Sequence, residues 1–294
     1  MTGTVLVVGD VMTDVIVRPD GPIVYGSDRT ARIENRPGGS GANQAVWLGA
    51  MGVDIVFAGR VGAADLMTQE ARFRAAGVVP VLAGDETLGS GVLVTIVDPS
   101  GERSFLTDRG ANLHLNSEDL PDSLLNGVGL VMVSGYSLFA PGPRAAVQSL
   151  LARARGRAVA IAVDPASTGF LSEVGPATFL DWTGGGDWLF ANEDEAALLS
   201  GTIGLEQQVR RLGERFSHVV IKRGRLGAII GGKDGIALSQ PAPSVEVVDS
   251  TGAGDAFAAG FIASLMEGAA LEQCLARGIE SGARAVQQTG GQPR

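Results

Sequence analysis

The sequence predicts an α/β protein with a three-layer α/β/α core, in which helices cover both faces of a mainly parallel sheet. Short β-branched runs alternate with helical segments from the middle of the chain onward, and the runs are apolar throughout, as strands buried on both faces are. The 294 residues, 45% of them hydrophobic, suffice for a large core. Because crossovers between parallel strands are right-handed, we expect a doubly wound sheet, within a single domain over residues 1–294.

The elements of this core follow one another along the chain. An apolar run at 5–8 predicts the first strand. Further on, the pattern predicts strands at 129–133, 158–163, 188–191 and 218–222, helices at 144–154 and 193–200, and two final helices. Ligands of such sheets bind at the carboxyl ends of the strands, so polar residues at these ends are candidates for a functional site.

The first third of the chain predicts a second, smaller sheet. β character is found at 15–17, 29–33, 91–97 and 103–107, with no helix between the first two segments. We interpret residues about 12–36 and 88–111 as an antiparallel β-sheet lid that projects from the core and closes over a substrate to exclude water. Alternatively, these strands extend one edge of the main sheet.

Composition excludes several classes of function. A net charge of −9, a pI near 4.8 and the lack of a basic block argue against nucleic acid as a partner. Cys274 is the only cysteine, and with only His114 and His218 in the sequence neither a disulfide nor a zinc cluster is expected. The sequence has no signal-peptide pattern and no apolar run of the roughly 18 residues that span a membrane. These features favour a cytoplasmic protein without a membrane partner.

Residues 249–255, DSTGAGD, run directly into the apolar helical pattern 256–266. The two glycines leave backbone N–H groups uncovered, and free N–H groups at the start of a helix, together with its dipole, attract phosphate. Asp255 would lie in the first turn beside the phosphate, where its carboxylate can act as a base. Alternatively, this is an ordinary helix start, which Ser250 or Thr251 caps while Asp255 complements the dipole.

A second glycine-rich loop, residues 37–45 (PGGSGANQA), precedes the helical pattern 46–51. Bare backbone at a helix start, with the donor and acceptor of Asn43 beside it, suits a neutral hydroxylated substrate better than a second phosphate. The first strand ends in a turn that contains Asp10 and Asp14. Asp14 can accept hydrogen bonds from the hydroxyls of a polyol, whereas we interpret Asp10 as a turn residue.

Three acids follow the strand at 188–191, within the segment NEDE at 192–195. They complement the dipole of the helix that begins there, or one of them orders magnesium and its waters at the strand end; the sequence leaves both open. Residues 227–234 approach P-loop spacing, but Asp234 replaces the serine or threonine that binds magnesium and no helix follows, so we predict a hairpin turn at 231–235. Motifs for a dinucleotide site or a serine hydrolase are also missing from the sequence.

Together, the glycine-rich segments 38–45 and 249–255 resemble the two signatures of the ribokinase-like (PfkB) family of carbohydrate and nucleoside kinases, in the same order and spacing. The resemblance covers essentially the whole chain. The other matching segments are 9–14, 59–62 with Asp65, 101–103, 192–195 and 222–224. The resemblance implies a core α/β domain with a β-sheet lid, ATP and Mg²⁺, and transfer of the γ-phosphoryl group to a substrate hydroxyl.

The resemblance also implies a role for each matching residue. Asp255 corresponds to the catalytic base, and Gly252, Ala253 and Gly254 correspond to an anion hole that stabilises the transferred phosphoryl group. The other correspondences are substrate binding by Asp14, Gly39, Ser40 and Asn43, nucleotide binding by Asn192, Lys222 and Gly224, Mg²⁺ binding through water by Glu195, and K⁺ binding in some members by Asp249.

Three positions depart from ribokinases themselves. Met12 replaces a sugar-binding asparagine, and the segment 134–136 with Tyr136 replaces one with a glutamate, which weakens ribose as the substrate. A methionine adds apolar surface and removes hydrogen-bonding groups, which suits a deoxy sugar, a nucleoside base or a differently oriented hexose. Ile279 replaces an asparagine near the adenine, so the preference for ATP is an inference.

We therefore predict an ATP-dependent, Mg²⁺-requiring kinase that phosphorylates a hydroxyl, in our interpretation a primary one, of a small sugar or sugar derivative, with K⁺ as a candidate activator. The alternatives are a nucleoside kinase of the same family and a catalytically silent sugar-binding protein. Lid sheets often pair between subunits, which hides their edges, so we also expect a homodimer through the lid.

Overall fold

A computed structural model of the chain describes residues 2–98 and 102–293. Its strands are β1 (Thr4–Val8), β2 (Met12–Pro19), β3 (Ala31–Gly38), β4 (Ile55–Gly62), β5 (Val79–Asp85), β6 (Gly91–Val97), β7 (Arg103–Asp108), β8 (Val128–Ser134), β9 (Ala160–Asp164), β10 (Gly186–Asn192), β11 (Phe216–Lys222), β12 (Ala228–Gly232) and β13 (Gly235–Gln240). Its α-helices are α1 (Ser40–Ala50), α2 (Leu66–Ala75), α3 (Pro141–Gly156), α4 (Thr168–Val174), α5 (Pro176–Thr183), α6 (Glu193–Ser200), α7 (Leu205–Gly213), α8 (Ala253–Met266) and α9 (Leu271–Ala285).

The main sheet confirms the predicted α/β class. Its strand order in the described part of the chain is β13-β12-β11-β10-β9-β8-β1-β4-β5. The strands from β11 to β5 are parallel, and β12 and β13 form the predicted antiparallel hairpin at one edge. The helix predicted at 193–200 is α6, and the helix predicted at 144–154 lies within α3.

Helices cover both faces of this sheet, as the continuous apolar strands require. In β1, Val5 and Val7 pack into a cluster formed with α1, α8 and α9, whereas Leu6 and Val8 pack into a cluster formed with α3, α5, α6 and α7. All four side chains are fully buried. Successive residues of a strand point to opposite faces, so each of the two helical layers receives every second side chain.

A second sheet, separate from the main one, has the order β3-β2-β6-β7. The alternative that these strands extend the main sheet was therefore wrong. The prediction of a wholly antiparallel sheet was wrong too, because β2 and β6 are parallel, while the β2–β3 and β6–β7 pairs are antiparallel. The chain between β2 and β6 passes through the core, and this long crossover permits parallel pairing. Of the family-like segment 101–103, residue 101 lies outside the described residues. We call this sheet the lid; its closure remains a prediction.

Helix α1 begins at Ser40, within the glycine-rich loop and earlier than the predicted 46–51. The reason is a close approach of two backbones: a Cβ atom on Gly41 would lie 2.6 Å from the Cα atom of Gly9, at the end of β1. Without side chains at this contact, the helix can start directly against the strand end, which puts Asn43 in the first turn of the helix. Among the described residues, no helix combines the length and apolar character needed to cross a membrane.

Candidate active site

A pocket of about 540 Å³ lies where the carboxyl ends of β1, β8, β9, β10 and β11 meet the lid and the start of α8. Most of the predicted site residues line it, namely Asp14, Gly39, Ser40, Asn43, Asn192, Glu195, Lys222, Gly252, Gly254 and Asp255. The lining does not include Ala253, Gly224 or Asp249. A second cavity, of about 640 Å³ between α1 and α2, is lined by none of the predicted residues.

Asp255 lies in the first turn of α8, and three side chains of α1 hold its carboxylate. The Ser40 hydroxyl donates to Oδ1 at 2.7 Å, and the Gln44 amide donates to the same oxygen at 3.3 Å. The Asn43 amide donates to Oδ2 at 3.0 Å. Ser40 and Asn43, predicted to bind substrate, thus position the carboxylate of Asp255 in this structure.

The environment of Asp255 tunes its basicity. Burial raises the pKa of the Asp255 carboxyl to about 7, and the negative charge of Asp164 adds to this effect. The hydrogen bonds from Asn43 and Ser40 and the charge of Lys222 act in the opposite direction. A carboxylate with a pKa near neutrality is a far better proton acceptor than an ordinary aspartate.

Neither Ser250 nor Thr251 caps the start of α8, so this part of the alternative was wrong, although Asp255 does lie in the first turn. The N-cap residue is Gly252, in the left-handed conformation with φ 73°. A Cβ atom on Gly252 would lie 2.5 Å from the Cα atom of Gly291, so the chain near residue 291 presses directly on this turn. No side chain caps this helix start, and the binding of an anion there remains a prediction.

Asp249 ties the same turn to the end of the described chain. Its Oδ1 atom accepts hydrogen bonds from the backbone and hydroxyl of Thr251, at 3.0 and 2.7 Å, and its Oδ2 atom accepts one from the backbone of Gly290 at 3.0 Å. The side chain is buried. These contacts give Asp249 a positioning role for the α8 turn, and its proposed contact with K⁺ remains a prediction.

Lys222, at the end of β11, provides a cation beside the α8 turn. Its Nζ atom forms a 2.8 Å ion pair with Asp164, at the end of β9. Although burial acts to lower it, the charges of Asp164 and Glu195 raise the pKa of Lys222 above its ordinary value, so the side chain stays charged. A Cβ atom on Gly254 would lie 3.2 Å from Nζ, so glycine at this position keeps the space between the helix start and the lysine open.

Asn192 and Glu195 form a capping box at the start of α6. The Asn192 side chain accepts from the Glu195 backbone, and the Glu195 carboxylate accepts from the Asn192 backbone, both at 2.8 Å. Burial raises the pKa of Glu195 to about 7, against the opposing charge of Lys222. The prediction that these acids lie in the first turn of a helix is thus confirmed, while magnesium binding remains a prediction. In residues 2–98 and 102–293, no group of three His, Cys, Asp or Glu side chains is arranged to hold a metal ion.

Asp14, on β2 of the lid, presents an unsatisfied acceptor. Its Oδ1 atom is buried and has no hydrogen-bond partner among the described residues. Burial raises the pKa of the Asp14 carboxyl to about 6, and the charges of Asp10 and Asp249 raise it further. A buried carboxylate oxygen without a donor costs stability, and the hydroxyl of a ligand in the pocket would satisfy it.

We expect Asp14→Asn to stabilise the ligand-free protein at alkaline pH. Because the folded-state pKa of Asp14 lies above its unfolded value of 3.8, its stabilising contribution is complete below pH 4 and is lost as the pH rises through 6. At pH 8 the wild-type protein must keep a buried charge, so the variant should be more stable by on the order of 2 kcal/mol. Urea unfolding at pH 5 and pH 8 measures this; an equal pH dependence in both proteins would contradict it.

The site also contains residues that the sequence argument missed. Asp164, Arg109 and Gln44 line the pocket or contact Asp255. Asp164 follows an apolar run at a strand end. The same pattern identified other candidate residues, so the sequence could also have identified Asp164. Arg109 follows a lid strand and carries no motif that distinguishes it.

Sequence similarity makes this protein a phosphotransferase that acts on a hydroxyl acceptor. The model of the pfkB family of carbohydrate kinases matches residues 2–294. An ATP-dependent ribose-1-phosphate kinase of Halopiger xanaduensis is 30% identical over 280 residues, covering 92% of this chain and 88% of that protein. A fructokinase of Klebsiella pneumoniae is 29% identical over 275 residues, covering 90% and 85%.

Among solved structures, that of a probable sugar kinase from Rhizobium etli CFN 42 has a TM-score of 0.88 and 26% identity, and the match covers 100% of this chain and 96% of that one. The chain belongs to the pfkB family of carbohydrate kinases. It is a sugar or nucleoside kinase, and kinases of this family use ATP with a divalent metal ion.

Proposed function

We propose that this protein transfers the γ-phosphoryl group of ATP to a hydroxyl, preferably a primary one, of a small sugar or sugar derivative, with Asp255 as the catalytic base. One observation carries the proposal: a carboxylate with a raised pKa lies at an uncapped helix start, in a pocket that it shares with the partly buried Lys222. The lysine and the helix start suit the phosphates, and the lid side of the pocket suits the acceptor.

The reaction needs positioning and charge stabilisation more than covalent chemistry. The acceptor oxygen forms a bond to the γ-phosphorus, the bond from that phosphorus to the β–γ bridging oxygen breaks, and ADP leaves. The acceptor proton passes to Asp255, which Ser40 and Asn43 hold in place. The first-turn N–H groups around Gly252 to Gly254 stabilise the charge on the transferred group. Asp14 accepts hydrogen bonds from the acceptor hydroxyls and keeps it oriented.

The pocket residues fit ATP and a divalent ion. The space beside Gly254, which a side chain would reduce, together with the Lys222 ammonium, suits nucleotide phosphates. We propose that Asn192, Lys222 and Gly224 bind the nucleotide and that Glu195 binds Mg²⁺ through its waters. When bound, Mg²⁺ neutralises phosphate charge. K⁺ near Asp249 is a further proposal, and it would act on the α8 turn that Asp249 holds.

We expect kcat/KM to rise with pH and to level off above about pH 8. The base must be deprotonated, and the pKa of Asp255 is about 7 in this environment. The pKa of Glu195, also about 7, lies in the same range, so the ascending limb belongs to the site as a whole. Initial rates between pH 5.5 and 9 at saturating ATP test this. A rate already constant from pH 5.5 upward would contradict a base with a raised pKa.

ADP release tests the proposed function directly. Purified protein with ATP and Mg²⁺ is offered pentoses, hexoses, keto-deoxy acids and nucleosides, with and without K⁺, and Asp255→Asn is the control. Acceptor-dependent ADP release by the wild type alone supports the proposal. Turnover restricted to nucleosides favours the nucleoside-kinase alternative. If the protein binds ATP but consumes none with any acceptor, the proposed activity is wrong and a silent sugar-binding protein is favoured.

We also propose a homodimer through the lid and a cytoplasmic location. The edge strands β3 and β7 expose Ile33 and Leu106, at 60% and 62% of their surface, and a partner lid would cover both edges and these side chains. Light scattering of the wild type against Leu106→Glu tests the dimer. The location rests on the single cysteine, Cys274, which is buried, and on the supply of ATP in the cytoplasm.

A further inference from the structure

Arg109 provides the pocket with a cation that forms no ion pair within the described part of the chain. It follows β7 and lines the pocket beside Thr107 and Tyr136. Its Nη2 atom is buried and has no hydrogen-bond partner within residues 2–98 and 102–293. Burial lowers the pKa of the guanidinium, and the charge of Asp10 opposes this effect only in part. An enclosed charged donor without an acceptor is costly, so the residue is poised for an acceptor from outside the chain.

Comparison with other arginines shows that this state is unusual in the protein. Arg60 forms ion pairs with Asp85 at 3.0 Å and with Asp119 at 2.9 Å. Arg223, also partly buried, pairs with Glu193 at 3.0 Å. Arg72 is partly buried without a carboxylate but donates to the Gln69 side chain at 2.9 Å, whereas the Nη2 atom of Arg109 has no partner among the described residues.

The backbone around Arg109 is held firmly, so its position is defined. Asn112 donates from its side chain to the Arg109 carbonyl at 2.8 Å and to the Val11 carbonyl at 3.0 Å. The Val11 backbone in turn donates to the Asn112 side chain at 2.9 Å. Asn112 therefore fixes the backbone at the junction between the lid and the core, and this fixes the position from which the Arg109 side chain reaches the pocket.

Neighbouring groups favour an anion over a neutral ligand at this point. Burial raises the pKa of Tyr136 to about 12, so its hydroxyl keeps its proton and can donate. Ser167, which hydrogen-bonds Tyr136, adds another hydroxyl to the lining. Asp10 is the acid that acts on Arg109, yet its Oδ1 atom already accepts from the Gly41 backbone and the Ser134 hydroxyl, each at 3.4 Å. A cation with hydroxyl donors is the set that binds phosphate or carboxylate.

We propose that the acceptor carries an anionic group, a phosphate or a carboxylate, which Arg109 binds while Asp255 activates a hydroxyl elsewhere on the same molecule. This inference rests on the proposed function and narrows its substrate class from small sugars in general to sugar phosphates and sugar acids. It also accounts for Met12, which cannot form the hydrogen bonds of an asparagine, because an acceptor bound through its charge needs fewer hydrogen bonds to its hydroxyl groups.

Matched pairs of acceptors test the inference. ADP release is measured with ribose, ribose 1-phosphate and ribose 5-phosphate, and with glucose, gluconate and 2-keto-3-deoxygluconate. We expect kcat/KM for at least one anionic acceptor to exceed that of its neutral counterpart by about 100-fold, the size of a charged hydrogen-bonding interaction. Preference for the phosphates identifies a phosphate as the recognised group, and preference for the acids identifies a carboxylate.

Substitutions of Arg109 show whether this residue causes the preference for an anionic acceptor. Arg109→Gln should raise KM for the anionic acceptor about 100-fold with little change in kcat, and Arg109→Lys should recover part of the loss. Arg29→Gln, which removes an exposed positive charge from the lid, is the control and should leave KM unchanged. Turnover of neutral sugars only, with a KM that Arg109→Gln does not alter, would overturn the inference and leave the proposed function intact.

Binding of an anionic acceptor can be measured without turnover, so it tests the anion site independently of the proposed activity. Calorimetric titration with ribose 1-phosphate and gluconate, in the absence of ATP, should show binding by the wild type and its loss in Arg109→Gln. If neither protein turns over any acceptor, this loss still supports the anion site while the proposed function fails. Equal binding of the anions by both proteins would reject the inference.

Discussion

Asp255→Asn is expected to lower kcat by about a thousandfold, the contribution typical of a positioned general base. The amide cannot accept the acceptor proton. The NH₂ group of the new asparagine also faces side chains that donate to Asp255 in the wild type. In one orientation it faces Asn43, and in the other it faces Ser40 and Gln44, so a hydrogen bond of the present arrangement is lost. Removal of a carboxylate that burial disfavours offsets part of that loss in stability. Initial rates with the best acceptor, together with calorimetric binding of ATP, measure the effect.

A matched control separates the base from the general effect of a helix-start acid. Asp194 is an exposed acid in the first turn of α6 and lies outside the pocket. Asp194→Asn removes a similar favourable interaction with a helix dipole, worth about 0.3–1 kcal/mol, and should leave kcat unchanged. If Asp255→Asn is folded, binds ATP and keeps turnover within tenfold of the wild type, Asp255 is not the base.

Gly252→Ala is expected to reduce kcat by about a hundredfold, comparable with the loss of an oxyanion-hole donor. The added methyl group would meet the backbone of Gly291 at 2.5 Å, so the turn before α8 must move. Its N–H groups then no longer point at the transferred phosphoryl group. Because the acceptor contacts lie elsewhere, KM for the acceptor should change less than kcat. Steady-state kinetics with both substrates varied measures the two effects.

The same helix provides a control at its other end. Gly268, after α8, has φ 80°, close to that of Gly252, but a Cβ atom there would meet nothing within 4 Å. Gly268→Ala thus carries the same left-handed penalty of about 1–2 kcal/mol without the collision, and kcat should stay at the wild-type value. Equal kinetic losses in both variants would show that strain in α8, and not the anion hole, explains the effect.

The parts of the fold that the sequence predicted depend on local patterns. Strands buried on both faces are apolar throughout, and a parallel sheet brings their carboxyl ends together, which predicted a site at this edge of the sheet. Asp255 was predicted from the glycine-rich start of its helix, and Lys222 from the resemblance to the ribokinase-like family. The parallel β2–β6 pair could not be predicted locally, because the two strands are joined only through the core. The start of α1 was misplaced because its cause is the contact between Gly9 and Gly41, which the sequence does not show.

The details of the site required the three-dimensional structure for a similar reason. Asn43 lies 212 residues from Asp255, so a sequence pattern assigns it to the substrate and not to the carboxylate that it contacts. Arg109 was missed because the property that distinguishes it is the absence of a partner for its Nη2 atom in the described structure. Burial raises the pKa of Asp255, and burial is a property of the assembled pocket.

The lid sheet has a consequence for how such a kinase can diverge. The residues proposed for phosphoryl transfer belong to the core, on α8 and at the end of β11, whereas Met12, Leu93, Phe105 and Arg109 reach the pocket from the lid or its junction with the core. After gene duplication, a copy could therefore acquire a new acceptor through changes in a few lid positions while its chemistry stayed intact. The reaction and the choice of substrate can therefore be inherited separately in this architecture.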